Sequence, residues 1–353
     1  MNVLAIETSC DETAAAVINI DDGYKLNQTF DNFFPKTLSS VISSQIDIHA
    51  KYGGVVPEVA SRAHLENINY VIDEALIQSQ LAATVTDSFK KIDVIGVTHG
   101  PGLLGSLMVG VSYAKALAYG LNIPYVGVNH LEGHLLASFL DRNVPPALPA
   151  LVLLVSGGHT ILLNMTELGQ YHLIAQTVDD AAGEAFDKIA RYLDLGFPGG
   201  PAIDKAAQSG DQDKIRFPRA EIKNSLNLSF SGLKTAVIRY AKDNLDVSTD
   251  DISAGFQKAV VDMLITRMEA SIKLYNPKTV IIGGGVAANS QLRQATESLA
   301  NQYGLEAIIP LRKDCTDNAA MIGAVAGFRF VKDGPSEITD TVFSALPLNY
   351  ANL

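Results

Sequence analysis

Tryptophan is absent from this chain, and cysteine occurs only twice in 353 residues, at Cys10 and Cys315. Two thiols build no disulfide framework, so the fold must rest on an apolar core, and the usage fits a reducing compartment. Positive charge is also in short supply: 27 Lys and Arg stand against 38 Asp and Glu, a net of −11. A chain of that sign repels a polyanion on average, so a nucleic-acid substrate would need local basic patches or a partner protein to hold it. Long apolar runs are missing too. The run from Ala147 to Val155 is broken by Pro149 and is too short to span a bilayer. Met1 to Glu7 has neither the basic stretch nor the long apolar core of a signal peptide. These absences predict a soluble cytoplasmic protein with no membrane partner. What is present, 47% hydrophobic residues and 28 glycines, suits a well-packed α/β protein long enough for two domains.

The stretch around which the chain is organised is His130-Leu131-Glu132-Gly133-His134. It follows a strand-like run, Tyr125 to Asn129, and leads into an apolar helical pattern through Leu135, Leu136, Phe139 and Leu140, with Asn129 as the expected N-cap. Histidines four apart on a helix lie ~40° apart around the axis and one turn apart along it, so both rings reach one point. That is what a divalent metal needs from two nitrogen ligands. The competing reading is an ordinary pair of surface or core histidines; with seven His in the whole chain, the metal reading is preferred. Glu132 points roughly 200° away from His130 on such a helix. It is badly placed to serve as the base of a zinc peptidase, whose His-Glu-x-x-His spacing is different.

In order along the chain, strands are expected over Val3–Glu7 and Ala14–Ile20, joined by the polar turn Thr8 to Thr13, which can aim backbone N–H groups at a phosphate. A turn is expected at Asp22-Gly23, and an irregular segment over Tyr24–Lys36. Gln45 to Glu58 reads as a loop, either part of a site or a solvated connector. A helix over Val59–Ile77, a buried strand over Ile92–Thr98 and a glycine-rich turn, His99 to Ser106, into a further helix come next. Asp141 to Pro149 is a Pro-rich connector and a candidate boundary. A second strand–turn–strand then follows: Leu151–Val155, Ser156-Gly157-Gly158-His159-Thr160, Ile161–Met165. It repeats the first in architecture, which suggests a duplicated fold with a nucleotide between the halves. Asp179 and Asp180 read as partners of a helix dipole. Asp187 and Asp204 lie deeper in their helices and are candidates for ribose hydroxyls. Arg216, Arg219 and Lys223 form the densest basic stretch, read as a solvated face. Gly283 to Asn289 joins a strand to a helix in a form that admits a ring or phosphate. Asp317 precedes the last long helix and reads equally as its cap or as something more.

The motifs Glu7 to Thr13, Tyr52 to Glu58, His99 to Gly102, His130 to His134, Val155 to His159, Asp180 to Lys188, Pro198 to Pro201, Ser229 to Thr235, Gly283 to Asn289 and Thr316 to Asn318 resemble, in order and spacing, the bacterial tRNA N6-adenosine threonylcarbamoyltransferases, formerly called O-sialoglycoprotein endopeptidases. The resemblance runs from Met1 to about Val331. The stretch from Asp21 to Lys36 looks longer than usual for the family, and nothing is carried over onto it. The resemblance implies an actin-like ATPase fold, two ribonuclease-H-like domains around a nucleotide cleft, here expected as 1–129 with the tail 330–353 packing back on it, and 130–329. It implies one metal, Fe(II) or else Zn(II), held by His130, His134 and Asp317. It also implies substrate contacts at Leu154, Val155, Ser156, Gly157, Gly158, Asp187, Gly200, Asp204 and Asn289.

The implied reaction moves threonylcarbamoyl from threonylcarbamoyl-adenylate to N6 of adenosine 37, beside the anticodon of tRNAs that read codons beginning with A, releasing AMP. Such a donor is already an activated anhydride, so no protein nucleophile is needed. Asp11, Glu12 and His159 are the candidates for proton handling, and Cys10 is a dispensable candidate carrier. The resemblance further implies two partners, a paralogous actin-fold subunit and a small P-loop ATPase. Rival readings are a metallopeptidase, a non-catalytic ATP-binding module and a sugar kinase; the last two leave the paired histidines unexplained.

Overall fold

A computed structural model describes residues 1–21 and 33–348. The turn expected at Asp22-Gly23 and most of the irregular segment expected up to Lys36 lie outside the described residues, as does 349–353. The chain divides into two units, Met1–Pro145 with Asp317–Leu348, and Pro146–Thr316.

In the first unit the strands are β1 (Asn2–Glu7), β2 (Glu12–Ile20), β3 (Pro35–Ser44), β4 (Val94–Gly100) and β5 (Tyr125–Asn129). They form one sheet in the order β3-β2-β1-β4-β5. The meander β1-β2-β3 is antiparallel, while β4 and β5 run parallel to β1. The helices are α1 (Ile46–Ala50), α2 (Pro57–Ser79), α3 (Val85–Phe89), α4 (Leu104–Leu121), α5 (His130–Leu136) and, after the second unit, α11 (Ala319–Asp333).

The second unit has strands β6 (Ala150–Val155), β7 (Thr160–Glu167), β8 (Gln170–Gln176), β9 (Thr279–Gly283) and β10 (Glu306–Ile308). Its helices are α6 (Ala182–Tyr192), α7 (Gly199–Ala207), α8 (Ser231–Asp243), α9 (Thr249–Tyr275) and α10 (Ser290–Tyr303). Its sheet order, β10-β9-β6-β7-β8, is the first order repeated strand for strand, with the same antiparallel meander and parallel pair. The duplication expected from two strand–turn–strand units is therefore present at the level of whole sheets. The turn after β1 and the turn after β6 occupy equivalent places in the two units.

The first boundary falls in the Pro-rich connector, as its composition suggested, and not at Asn129 as in the division drawn from the resemblance; the second falls before Asp317, not at residue 329. The histidine helix α5 leaves β5 without a loop and packs against α11, and α11 in turn lies on β1, β2 and β4. The residues that bear the histidines and Asp317 thus belong to the first unit, not to the second.

Alpha11 is seated closely because its sheet-facing positions are small. A Cβ at Gly323 would stand 2.5 Å from Ile18 Cγ1, and one at Gly327 would stand 1.9 Å from Ile20 Cδ1. Every residue from Ala319 to Phe328 is buried. Each large apolar side chain so covered contributes about 1.5–3 kcal/mol, and the short approach fixes where the helix begins. Beyond it the tail runs along the edge strand: Ser336 N–H donates to the Tyr125 carbonyl (2.9 Å), and Gly127 N–H donates to Ser336 Oγ (2.9 Å). Phe343 N–H donates to the His99 carbonyl (2.8 Å) and Asn129 Nδ2 to the Leu346 carbonyl (3.2 Å). Among the described residues, α4 alone has the length and mean hydropathy (1.2) of a membrane-spanning helix; it packs on β4 and α2.

Candidate functional site

His130 and His134 sit on α5, whose first turn is capped as expected: the Asn129 side chain accepts from Leu131 N–H (2.9 Å). The helix is only seven residues long and passes into a 3-10 turn, Ala137–Phe139. Asp317 arrives just before α11. It is not that helix's cap; Asn318 is, accepting from Met321 N–H (3.0 Å), which leaves the Asp317 carboxylate for other use. Asp317 Oδ1 lies 3.4 Å from His130 Nε2 and 3.2 Å from His134 Nε2, and the three ligand atoms fall within 4.8 Å of one another. The imidazoles stand nearly perpendicular, at 84°.

His134 Nε2 is buried with no hydrogen-bond partner, because its approach to Asp317 has ion-pair distance but not hydrogen-bond geometry. Two ring nitrogens facing one carboxylate oxygen, one of them otherwise unsatisfied, fit a cation among them. Ligands each roughly 2.1 Å from one ion stand about 3–3.4 Å apart at ordinary coordination angles. Two imidazoles and a carboxylate suit Fe(II) or Zn(II) and leave positions open for a substrate.

The ring of His130 is held from behind by a residue that sequence reasoning left out of the site. Glu7, wholly buried at the end of β1, accepts from His130 Nδ1 (3.0 Å), Thr98 Oγ1 (2.6 Å) and Ser9 N–H (2.5 Å). Burial pushes the Glu7 carboxyl up, but the adjacent His130 more than offsets it and holds it below the ordinary value. Burial alone would lower His130; Asp317 and Glu7 on either side raise it well above its usual value. The same opposition keeps Asp317 far below the usual carboxylate range, its burial outweighed by the two histidines. A carboxylate behind a ligating histidine fixes its tautomer and aims Nε2 at the metal. The signal was present in the sequence: Glu7 is the last residue of a buried strand and opens the same motif as Asp11 and Glu12.

Asp11 lies in the turn after β1 and Glu12 opens β2, where the charges of Asp317 and Asp11 both act on it. Burial first, then the Asp317 and Asp11 charges, push the Glu12 carboxyl up to about 10. Burial and the same acids raise the Cys10 thiol well above its ordinary value; as a neutral thiol it is a poor nucleophile, which argues against a covalent carrier there. Glu132 is engaged elsewhere. Its carboxylate, 4% exposed, is gripped by the Arg329 fork at 2.8 and 3.0 Å. Removing that fork strands a buried charge, so Arg329→Met is expected to cost about 3 kcal/mol of stability, read as a lower midpoint in urea unfolding with an unchanged slope. An unmoved midpoint would show the pair to be idle.

The remaining expected residues lie in the second unit. Leu154 and Val155 end β6, and Ser156 to His159 form a tight turn in which Ser156 N–H donates to the His159 carbonyl (2.8 Å) and His159 N–H to Ser156 Oγ (3.2 Å). Beside this turn, Gly284 has φ +87° and would set a Cβ 2.4 Å from the Val155 carbonyl oxygen, so only glycine serves there. Gly157, Gly158 and Gly200 have open space where a Cβ would be. Asp204 and Asn289 meet: Asn289 Nδ2 donates to Asp204 (3.3 Å) and to Gln257 Oε1 (2.6 Å), while its Oδ1 caps α10. Asp204 also accepts from Ser290 Oγ (2.6 Å). Asp187 accepts from Gly199 N–H (2.8 Å), joining α6 to the start of α7.

Asp179 and Asp180 are not dipole partners of α6, as expected, because that helix starts only at Ala182. Instead they bind the Ser229–Thr235 motif. Asp179 accepts from Ser229 Oγ (2.5 Å) and Phe230 N–H (2.8 Å), and Asp180 pairs with Lys188 (3.1 Å) and with Lys234.

Known proteins carry the same pattern. The family described as TsaD, tRNA N6-adenosine threonylcarbamoyltransferase, matches residues 36–324. A protein of that name from Clostridium kluyveri is 46% identical over 345 residues, covering 96% of this chain and 95% of the relative. Another from Caldicellulosiruptor saccharolyticus is 48% identical over 342 residues, covering 94% of each. Among solved structures, HypF of T. kodakarensis superimposes with a TM-score of 0.61 at 13% identity over 94% of this chain. The chain spans about half the length of that protein, 48%, and the likeness speaks for the fold alone, an actin-like ATPase fold. This chain belongs to the tRNA N6-adenosine threonylcarbamoyltransferase family.

Proposed function

We infer that the chain transfers a threonylcarbamoyl group from threonylcarbamoyl-adenylate to N6 of adenosine 37 in tRNAs reading codons that begin with A. The observation that carries this reading is near-full-length identity of 46–48% to transferases so named; the convergence of His130, His134 and Asp317 is consistent with it. N6 attacks the carbonyl carbon of the mixed anhydride, a C–N bond forms, the C–O bond to phosphate breaks, AMP leaves with the bonding pair, and N6 loses one proton.

Held by His130, His134 and Asp317, a divalent ion, Fe(II) in this proposal and Zn(II) as the alternative, would polarise the donor's carbonyl and phosphate oxygens. Glu7 orients His130 for that task. The Asp11–Glu12 turn, and His159 in the second unit, are assigned to proton handling. The open glycine backbones of Gly157, Gly158 and Gly200 are assigned to the AMP portion, with Leu154, Val155 and Ser156 beside them and Asp187, Asp204 and Asn289 shaping the turns that hold it; positioning of this kind is worth several kcal/mol. The peptidase reading loses further ground with Glu132 committed to Arg329.

The net charge of −11 leaves this chain poorly equipped to neutralise tRNA phosphates alone. The proposal therefore includes the paralogous actin-fold subunit and the small P-loop ATPase, with action in the cytoplasm where tRNA is. Leu65 and Tyr70 on α2, with Leu104 and Met108 on α4, are each more than half exposed, apolar surface of the kind a subunit contact covers. The test supplies synthetic threonylcarbamoyl-adenylate, unmodified tRNA and both partner proteins, and seeks the modified nucleoside by mass spectrometry. Modification is expected with the full set and not with this chain alone. No modified nucleoside from the full set would overturn the function, and full multi-turnover activity without partners would overturn their requirement.

A further inference from the structure

The stretch from Gln45 to Glu58 has no part in the site described so far, and it is a loop only over residues 51–56, around its glycines. Its first half is the short helix α1, and its polar residues Gln45 and His49 are 1% and 0% exposed. His64 on α2 and Thr13 on β2 are equally buried. These four side chains form one hydrogen-bonded chain, with a backbone donor at one end and a backbone acceptor at the other to set its direction. Val56 N–H donates to His49 Nδ1 (3.3 Å), so His49 carries its proton on Nε2 and donates it to Gln45 Oε1 (3.1 Å). That sets the Gln45 amide, whose nitrogen faces His64 Nδ1 (3.3 Å) and the Ala60 carbonyl (3.4 Å). The single lone pair of His64 Nδ1 is shared with the Thr13 hydroxyl, which lies nearer, at 2.8 Å. His64 is thereby left to donate from Nε2, and its acceptor is the Cys10 carbonyl (3.0 Å). The next carbonyl, that of Asp11, accepts from the backbone N–H of Gln45 (3.0 Å).

We propose that His64, backed by Gln45 and His49, is a positioning residue of the transfer reaction: it grips the Cys10 carbonyl, next to the Asp11 carbonyl that the Gln45 N–H holds, and so sets the aim of the Asp11 and Glu12 carboxyls. The proposal rests on the function inferred above. Two imidazoles and an amide in a core are costly unless every donor is met, and when all are met they select one backbone geometry. An apolar filling would be cheaper but would leave the Cys10 carbonyl without its side-chain donor. Burial holds the His64 imidazole below its ordinary value, in keeping with a neutral ring that accepts on one side and donates on the other. The same chain of bonds ends at Val56, the residue preceding α2, so the Tyr52–Glu58 motif and the Cys10–Glu12 turn are parts of one braced unit.

The experiment compares the full chain with His64→Phe and His64→Gln variants, each with both partners, synthetic adenylate and tRNA. Phe keeps the ring's shape and donates nothing to the Cys10 carbonyl; Gln reaches it with an amide N–H. His64→Phe is expected to lower kcat about 10- to 100-fold, the scale of an ångström's misplacement, with KM for tRNA and bound iron unchanged. His64→Gln is expected to recover most of that loss. Wild-type kcat in a folded His64→Phe, or a Gln variant no better than Phe, would overturn the proposal. Should His64→Phe not fold, Gln45→Met cuts the same chain from its far side and is expected to show the same drop in kcat. Nitrogen chemical shifts of the wild-type imidazoles near neutral pH give a test free of variants and of turnover. Neutral Nε2–H forms at His49 and His64 are expected, and a charged ring or the other tautomer at His64 sinks the brace. An inactive wild type with the expected tautomers would defeat the functional reading, and the strut would still stand or fall on amide exchange at Asp11 and Glu12, which is expected to quicken in His64→Phe.

Discussion

Asp317→Ala is expected to abolish bound metal and to cut threonylcarbamoyl transfer by about 1000-fold or more while leaving the fold intact. The three ligand atoms lie within 4.8 Å, and removing the one carboxylate leaves two imidazoles of the same helix, too few to retain an ion against buffer. Polarisation by a bound cation is worth several kcal/mol of transition-state stabilisation, and each 1.4 kcal/mol is tenfold in rate. The fold should survive because Asn318, not Asp317, caps α11, and the seat of that helix depends on Gly323 and Gly327. Metal analysis of the purified variant, thermal unfolding and quantitation of the modified nucleoside check all three parts. Stoichiometric iron with wild-type turnover would remove Asp317 from the centre.

Glu7→Gln should show the second large effect. Three donors, Ser9 N–H, Thr98 O–H and His130 Nδ1–H, converge on the two Glu7 oxygens. An amide offers one oxygen and one NH2, so at least one buried donor must face another donor, at a cost of about 1–3 kcal/mol. The His130 ring also loses the carboxylate that sets its tautomer. Loss of such a partner typically weakens metal binding about 10- to 100-fold. Competition titration against a chelator reads that change directly. Unfolding in excess chelator reads the stability cost apart from the metal. Wild-type affinity in Glu7→Gln would mean that His130 needs no support from behind.

Sequence reasoning located the histidine helix and its Asn129 cap because a strand-to-helix junction with an Asn and a four-residue His spacing is a local pattern. It also saw the duplicated strand–turn–strand units, since each is contiguous. The fold-back of Asp317 was legible only through family resemblance, because nothing near Thr316 to Asn318 records which distant residue it meets. Strand β3 was missed for a physical reason: Pro-Lys-Thr-Leu-Ser-Ser-Val-Ile-Ser-Ser is largely polar, and its place is set by the ladder to β2. Alpha1 was hidden by the glycines just after it, and the domain boundary was displaced because contacts of α5 with α11 carry no sequence signal. Asp179 and Asp180 looked like helix-start acids; their true partners, Ser229, Phe230 and Lys234, lie some 50 positions on.

The first unit is discontinuous: its last helix, with Asp317 at its head, comes after the whole of Pro146–Thr316 has been read out. On the ribosome, chains fold from the N-terminal end as they emerge. The sheet β1–β5 must therefore wait, without α11 on its face, while the second unit is made. Until that helix docks, His130 and His134 have no carboxylate to share. On the metal reading proposed above, the three-ligand site is complete only once synthesis has passed Asp317, so an unfinished chain stalled before that residue lacks one ligand.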